Sequence, residues 1–373
     1  MIAVMREDDD FEAALTEEAE ATTDRANVAL YGATGAGKST LLNAIFGEQV
    51  AETGVGEPVT DQTELFVNAA GSLAIYDGAG LEIGDRSPIR DIARRLGRNR
   101  KGDMAKLIHV AWYCVNSKTD RLEPGQQQVI QKIASHGIPV VLALTKVNVR
   151  DGEVDPAAVR LADAIEEMGL PIVTGRPVMT AAVDDEFNGT ARHGLENLLD
   201  VTYSVVPEAQ RIALASAQKI DLSIKARYAR SWIAGAVAFA GGVGLTPIPL
   251  ADAALLVPAQ AALMAKIAGI YDIPKEKAAQ LLAATPVAAA AGGKIAAASL
   301  MKLVPGVGQM VSASVAAGIT GVLGESWRLT TEKVFKGEVD LNNVDSLVNL
   351  AKSFAENVKS GTGAPSSLVE NEA

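Results

Sequence analysis

The sequence predicts two domains of different class: an α/β domain, with a mostly parallel sheet and helices on both faces, followed by an all-α domain. Between residues 26 and 206, strand-like apolar runs alternate with helix-like segments, which is the pattern of a parallel sheet. A glycine-rich segment falls between the first strand and the first helix. From residue 207 the strand pattern ends, and alanine- and glycine-rich runs predict helices instead.

The first strand is predicted at 27–31 and the first helix at 38–46. Between them, Gly32-Ala33-Thr34-Gly35-Ala36-Gly37-Lys38-Ser39 has the spacing G-x-x-x-x-G-K-S, which is typical of a phosphate-binding loop. Glycines let the backbone direct its N–H groups at a phosphate, and the helix adds the positive end of its dipole. Lys38 can reach the β- and γ-phosphates of a nucleoside triphosphate, and the Ser39 hydroxyl can hold Mg²⁺. Thr40 is the last residue of the expected nucleotide-binding segment.

Further strands are predicted at 64–69, 73–77, 107–115, 138–144 and 177–180, with helices near 88–97, 124–135, 156–168 and 194–204. The strand at 73–77 ends in the pattern D-x-x-G, in which Asp77 can hold Mg²⁺ through a water molecule and the Gly80 amide can contact the γ-phosphate. A switch threonine is needed between the two motifs to complete the metal site. Thr60 is the favoured candidate, with Thr63 and Thr53 as alternatives.

The strand at 138–144 runs into Thr145-Lys146-Val147-Asn148, and Thr180-Ala181 stands at the end of the strand at 177–180. With Gly-Lys-Ser-Thr-Leu-Leu-Asn-Ala-Ile-Phe-Gly at 37–47, these motifs resemble those of the Era-like GTP-binding domains, a family that includes GTPases of the large ribosomal subunit. The resemblance covers residues 27–206 and implies GTP as ligand and substrate, with Mg²⁺ as cofactor. It also implies that Thr145, Lys146, Asn148, Thr180 and Ala181 line the base, with the Ala181 amide facing the guanine O6, and that Lys38 and Thr60 are catalytic.

One residue departs from the family pattern, and a second differs from the pattern of Ras-like proteins. Asn148 stands where the family has an aspartate that accepts two hydrogen bonds from guanine, so guanine preference is expected to be weakened or shifted to another base. Leu81 follows Gly80 where Ras-like proteins carry the glutamine that positions water. Slow intrinsic hydrolysis is therefore expected unless a partner, a monovalent cation or a dimer contact supplies the missing group.

The formal net charge of −11 disfavours general binding to nucleic acid, and a lone cysteine in an apolar run, Cys114, indicates a reducing compartment. A cytoplasmic protein is expected, peripheral at the inner membrane if its helices bind lipid. Eight basic side chains between 86 and 106 predict contact with ribosomal RNA or anionic lipid, or a solvated helix face. The three histidines have no metal-binding spacing.

Composition divides the chain into an acidic arm (1–25), the α/β domain (26–206), a helical domain (207–340), and an amphipathic helix with a disordered tail (341–373). Uncharged runs at 231–251 and 303–324 leave three alternatives: a soluble bundle, reversible membrane association, or membrane-spanning helices. Segments 247–252 and 268–273 resemble a bacterial helical domain of unknown function that follows Era-like domains.

The expected function is a nucleotide-dependent switch that couples the GTP-binding domain to a helical effector domain, at a membrane or in assembly. Two alternatives stay open: a ribosome-associated GTPase, and a nucleotide-binding scaffold with little turnover. A homodimer formed through either domain is compatible with the sequence.

Overall fold

The computed structural model describes residues 25–47, 57–60, 63–68, 72–78, 108–243, 251–274, 277–278 and 313–340, and also 343, 346, 349–350, 353–354 and 356–357. The chain divides after Asp221 into two compact units. Several predicted features lie outside the described residues: Thr53, Gly80, Leu81, the helix at 88–97, the basic segment 86–106, and most of the N-terminal arm and of the C-terminal tail.

The α/β unit contains the strands β1 (Ala26–Tyr31), β2 (Glu57–Thr60), β3 (Thr63–Val67), β4 (Leu73–Gly78), β5 (Val110–Asn116), β6 (Val140–Thr145), β7 (Val149–Arg150), β8 (Glu153–Val154) and β9 (Val178–Met179). Seven of them form one sheet in the order β2-β3-β4-β1-β5-β6-β9. The strands from β4 to β9 in that order are parallel, whereas β2 and β3 form an antiparallel edge. Strands β7 and β8 form a separate hairpin.

The helices described in this unit are α1 (Lys38–Phe46), α2 (Pro124–Ser135), α3 (Pro156–Glu167), α4 (Leu195–Val205) and α5 (Glu208–Ala217). Helices α2 and α3 bury apolar side chains against one face of β1, β5 and β6. On the other face, Trp112 of β5 stacks on Phe46 of α1, with ring centroids 5.9 Å apart, and its indole N–H donates to Thr202 Oγ1 of α4 over 2.9 Å. Helices cover both faces, which confirms the predicted α/β class.

Some elements differ from the sequence prediction. No strand is predicted from the sequence between the first helix and residue 64, but Glu57–Thr60 pairs with β3 as an edge strand. Helix α5 packs with the sheet, because Leu214 and Ala215 are completely buried, and the structure divides after Asp221, whereas composition places the boundary at residue 206. Helix α5 is alanine-rich like the segments that follow it, so composition alone does not separate the two.

The second unit is helical, as predicted, with α6 (Leu222–Val243), α7 (Ala251–Ile270) and α8 (Ala313–Phe335). Its core includes the buried side chains Ile233, Leu263, Ile267, Leu323 and Trp327. Helices α6 and α8 approach closely at Gly324, where an added Cβ would lie 2.8 Å from Ile233 Cγ1. Within the described part of the chain, no helix combines the length and the hydropathy needed to cross a bilayer.

Two basic side chains are buried among these helices. The Lys225 ammonium donates to the carbonyl oxygen of Ile270, at the end of α7, over 2.7 Å. Arg328 forms ion pairs with Glu325 and Glu332 on its own helix. Each buried cation therefore meets an acceptor, which offsets the cost of removing it from water.

Candidate nucleotide-binding site

Glycines at positive φ shape the loop between β1 and α1: Gly32 at 142°, Gly35 at 76° and Gly37 at 86°. An added Cβ at Gly32 would lie 2.3 Å from the carbonyl oxygen of Cys114 in β5, so the loop passes too close to the sheet for a side chain. Gly37 is the N-cap of α1, and no side chain caps this helix. The first-turn N–H groups of α1 have no partner within the helix, so this helix end is suited to bind an anion.

The ammonium of Lys38 lies back over the same loop. Its Nζ donates to the carbonyl oxygens of Gly32 and Ala33 over 3.1 and 3.3 Å. Three hydroxyl side chains around the loop are exposed: Thr34, Ser39 and Thr40. A positive charge, open amides and exposed hydroxyls thus meet at one helix end, a combination that suits a phosphate with a hydrated divalent cation.

The end of β6 is braced against this loop. The buried hydroxyl of Thr145 lies 2.6 Å from the carbonyl oxygen of Ala36 and 3.2 Å from that of Val115. Lys146 adopts a left-handed φ of 57°, and its Nζ donates to the carbonyl oxygen of Gly35 over 2.9 Å. The structure therefore brings the T-K-x-N segment and the phosphate loop together, as their order along the chain predicts.

The remaining predicted base-binding residues lie after β6 and β9, which are neighbouring parallel strands. Asn148 is half-buried. Thr180 is completely buried and its hydroxyl donates to the carbonyl oxygen of Leu144 over 3.0 Å, so its side chain supports the sheet. The amide of Ala181 donates to the carbonyl oxygen of His193, and the amide of His193 donates back, both over 3.0 Å. The N–H expected to face the guanine O6 is thus engaged within the protein.

Two residues outside the predicted motifs, His193 and Ser117, hold this region together. The His193 Nε2 lies 3.0 Å from the carbonyl oxygen of Val147, and because a carbonyl only accepts, Nε2 carries the proton. The Ser117 hydroxyl donates to the carbonyl oxygen of Lys146 over 2.8 Å. Both contacts join residues far apart in the chain, 46 positions in the case of His193, so no local pattern could reveal them.

An ion pair flanks the T-K-x-N segment. The ammonium of Lys118 lies 2.9 Å from the Asp155 carboxylate, which also accepts from the Ala157 amide at the start of α3. The hydrogen bond from Lys118 and that from the Ala157 amide hold the pKa of Asp155 below its usual range. The backbone amide of Asp155 also donates to the carbonyl oxygen of Asn148 over 2.9 Å, which fixes the chain at that residue.

The backbone register places the predicted metal-binding segments at the same edge of the sheet. Asp77, at the end of β4, pairs with Leu30 near the end of β1. Thr60 pairs with Thr63, which in turn pairs with Gly78 at the end of β4. Because β2 and β1 are separated by three strand spacings of about 4.8 Å, Thr60 lies about 14 Å from β1 across the sheet.

A loop–helix junction of this kind, at the carboxyl edge of a mostly parallel sheet, defines the class of P-loop nucleotide-binding proteins. Within that class, residues 27–146 match the family model described as 50S ribosome-binding GTPase. The α/β unit is therefore an Era-like P-loop GTPase domain, as the sequence motifs predict.

The GTPase Era of Cronobacter sakazakii is 29% identical over 127 residues, which are 33% of this chain and 40% of that protein. The GTPase Era of Glaesserella parasuis is 30% identical over 129 residues, which are 34% of this chain and 41% of that protein. A solved structure of an S. thermophilus NFeoB mutant bound to GDP has 16% identity and a TM-score of 0.31, with 90% of this chain and 98% of that chain covered. The chain spans about two fifths of the length of the curated relatives it matches.

Proposed function

We propose that the chain binds GTP with Mg²⁺ at the junction of β1 and α1, hydrolyses it slowly, and uses the change of nucleotide state as a switch. The observation that carries this proposal is the uncapped start of α1 with the Lys38 ammonium held over the loop. Such an arrangement offers amide donors and one cation to the phosphate chain before a ligand arrives, so little reorganisation opposes binding.

Magnesium fits the oxygen ligands that these segments carry. The exposed Ser39 hydroxyl, on the first turn of α1, would hold the ion, with Asp77 acting through water and Thr60 completing the shell. Bound Mg²⁺ would neutralise charge on the β- and γ-phosphates. Thr60 stands on β2, three strands from β1, and a movement of its segment towards an ion held at Ser39 is the proposed switch.

A backbone contact supports coupling to the helical unit. The carbonyl oxygen of Ile45, in the last turn of α1, accepts from the Lys219 amide over 2.7 Å. Lys219 stands two positions before the boundary at Asp221. One end of α1 therefore meets the phosphate and the other is bonded to the segment that leads into the helices, so a shift of α1 would be passed to that segment.

Binding is tested by isothermal titration of the full chain with GTP and Mg²⁺, using Lys38→Ala and the matched control Lys132→Ala on α2. Loss of hydrogen bonds to a charged group predicts that Lys38→Ala weakens binding by about 1.5–3 kcal/mol, roughly 10- to 150-fold. Lys132→Ala should bind as the parent chain does. Equal affinity of the two variants, or no heat with the parent chain, would remove the basis of the proposal.

We further infer a cytoplasmic protein that meets an anionic membrane surface reversibly, in which case α6 supplies the contact. Its first half carries the exposed Arg227 and Arg230, and the rings of Trp232 and Phe239, further along the helix, are exposed by 37% and 48%. A basic end followed by exposed aromatic rings suits the boundary of an anionic lipid layer. Flotation with anionic vesicles tests this contact, and Arg227→Glu should reduce the floated fraction.

The second candidate is a factor that binds the ribosome, a partner named in the description of the matching family. Co-sedimentation with ribosomes in the presence of GTP, and its loss with GDP, would support this candidate over the membrane. A homodimer through either unit is tested in the same preparations by light scattering with each nucleotide. Unchanged biological output of Lys38→Ala would instead favour a scaffold with little turnover.

A further inference from the structure

Which nucleotide the proposed site prefers depends on the hydrogen bonds between the base and the side chain of Asn148. If the phosphates bind at the start of α1, the nucleoside extends along the carboxyl edge of the sheet. Lys146, whose ammonium reaches the loop at Gly35, marks this direction, and Asn148 follows two residues later. Asn148 is half-buried, and its side chain makes no hydrogen bond to the described parts of the chain, so its amide is free to pair with a ligand.

We propose that this pocket prefers a purine with a carbonyl group at C2, as in xanthosine triphosphate, over guanine; the inference rests on the proposed function. An amide side chain offers one acceptor and one donor. Guanine presents two donors at this edge, the N1–H and the 2-amino group, so one N–H of the base faces the N–H₂ of the amide. Xanthine presents N1–H and a C2 carbonyl, and both pair with the amide. Rotating the amide by half a turn leaves the mismatch with guanine in place.

The neighbouring carboxylates do not replace the missing one. Asp155 is held by Lys118 and by the first turn of α3. Asp184 accepts from the Arg192 amide over 2.7 Å, and Asp185 accepts from Asn188. Each of these three carboxylates already accepts hydrogen bonds within the protein, and Asp151 stands in the turn of the β7–β8 hairpin.

The contact expected at C6 does not restore guanine selection. The Ala181 amide donates to the carbonyl oxygen of His193, so it does not read an oxygen at C6 unless that bond opens. Guanine and xanthine both carry an oxygen at C6, so this contact leaves their comparison unchanged. The substituent at C2 is then the feature that separates the two bases in this pocket.

The test is isothermal titration of the full chain with the magnesium complexes of XTP, ITP, GTP and ATP. One unmet hydrogen-bonding pair predicts that XTP binds about 5- to 150-fold more tightly than GTP. ITP lacks a group at C2 and should fall between them, because the clash is absent but one bond is missing. Asn148→Asp should reverse the order and make GTP the tightest ligand.

Asn197→Asp is the matched control, since it makes the same change at an exposed position on the first turn of α4. Its order of affinities should equal that of the parent chain. GTP or ATP binding at least as tightly as XTP to the parent chain would overturn the inference and leave the proposed function intact, provided that Lys38→Ala weakens that binding. Failure of all four nucleotides to bind would instead overturn the proposed function.

Discussion

Replacing Gly32 by alanine should destabilise the α/β unit more than the same change at Gly35, although both glycines belong to one loop and both have positive φ, 142° and 76°. The difference lies in the space around them. A Cβ at Gly32 would lie 2.3 Å from the carbonyl oxygen of Cys114, whereas a Cβ at Gly35 would have no atom within 4 Å. Since Cys114 belongs to a completely buried stretch of β5, its carbonyl cannot easily move aside.

The expected magnitudes follow from two separate costs. A non-glycine residue at positive φ costs about 1–2 kcal/mol, and Gly35→Ala should lose this amount alone. Forcing an additional atom into a packed interior adds about 1–3 kcal/mol, so Gly32→Ala should lose about 2–5 kcal/mol in total. Gly32→Ala should also weaken nucleotide binding, because the loop must shift away from β5 to make room for the added methyl group.

Urea unfolding of the two variants and the parent chain measures these losses, with the slope of the transition checked for constancy. The parent chain should have the highest midpoint, followed by Gly35→Ala and then by Gly32→Ala. Equal midpoints for the two variants would refute the close approach of the loop to β5, and with it the account of why this position requires glycine.

Three further predictions concern contacts described above. Thr145→Val should cost about 1–2 kcal/mol because a buried loop carbonyl loses its donor, while Thr145→Ser should stay near the parent chain in urea unfolding; equal losses would exclude the hydroxyl as the cause. Thr202→Val should cost a similar ~1–2 kcal/mol and alter tryptophan emission, since the buried indole of Trp112 loses its acceptor; an unchanged spectrum would argue against this contact. Burial opposes ionisation of Glu332, but hydrogen bonds from the basic side chains of Lys336 and Arg328 outweigh this effect and lower the pKa of Glu332. The ionised carboxylate therefore stabilises the fold above the unfolded pKa of about 4.3, and this stabilisation is lost as pH falls through the lower folded pKa. Glu332→Gln should therefore make acid unfolding of the helical unit less steep below about pH 4, and an identical pH profile would contradict this.

Local signals account for the parts of the structure that the sequence predicts well. Helix α2 begins and ends where predicted, because Pro124 stands at its first position and Glu123 and Gln126 form a capping box. The phosphate loop is likewise a local feature, since three glycines within six residues set its backbone. Such elements depend on neighbours in the chain, and those neighbours are visible in the sequence.

Features that depend on distant residues were not predictable in the same way. The edge strand β2 contains Pro58 and polar residues and gains its order from pairing with β3, so its pattern reads as a loop. The antiparallel bridge between Ala181 and His193 requires a reversal of the chain that no rule of sequence spacing predicts. The β7–β8 hairpin could have been predicted from the sequence, because Asp151-Gly152 is a typical pair of turn residues; both adopt positive φ.

Trp112 gives this protein an intrinsic optical probe. It is the sole tryptophan between residues 23 and 221, and the other two, Trp232 and Trp327, lie in the helical unit. Its ring stacks on that of Phe46 at an interplanar angle of 16°, at the opposite end of α1 from the proposed phosphate site. Once phenylalanine replaces the two other indoles, emission will report how these rings overlap. Rapid mixing with nucleotide would then time the proposed displacement of α1 without any attached dye.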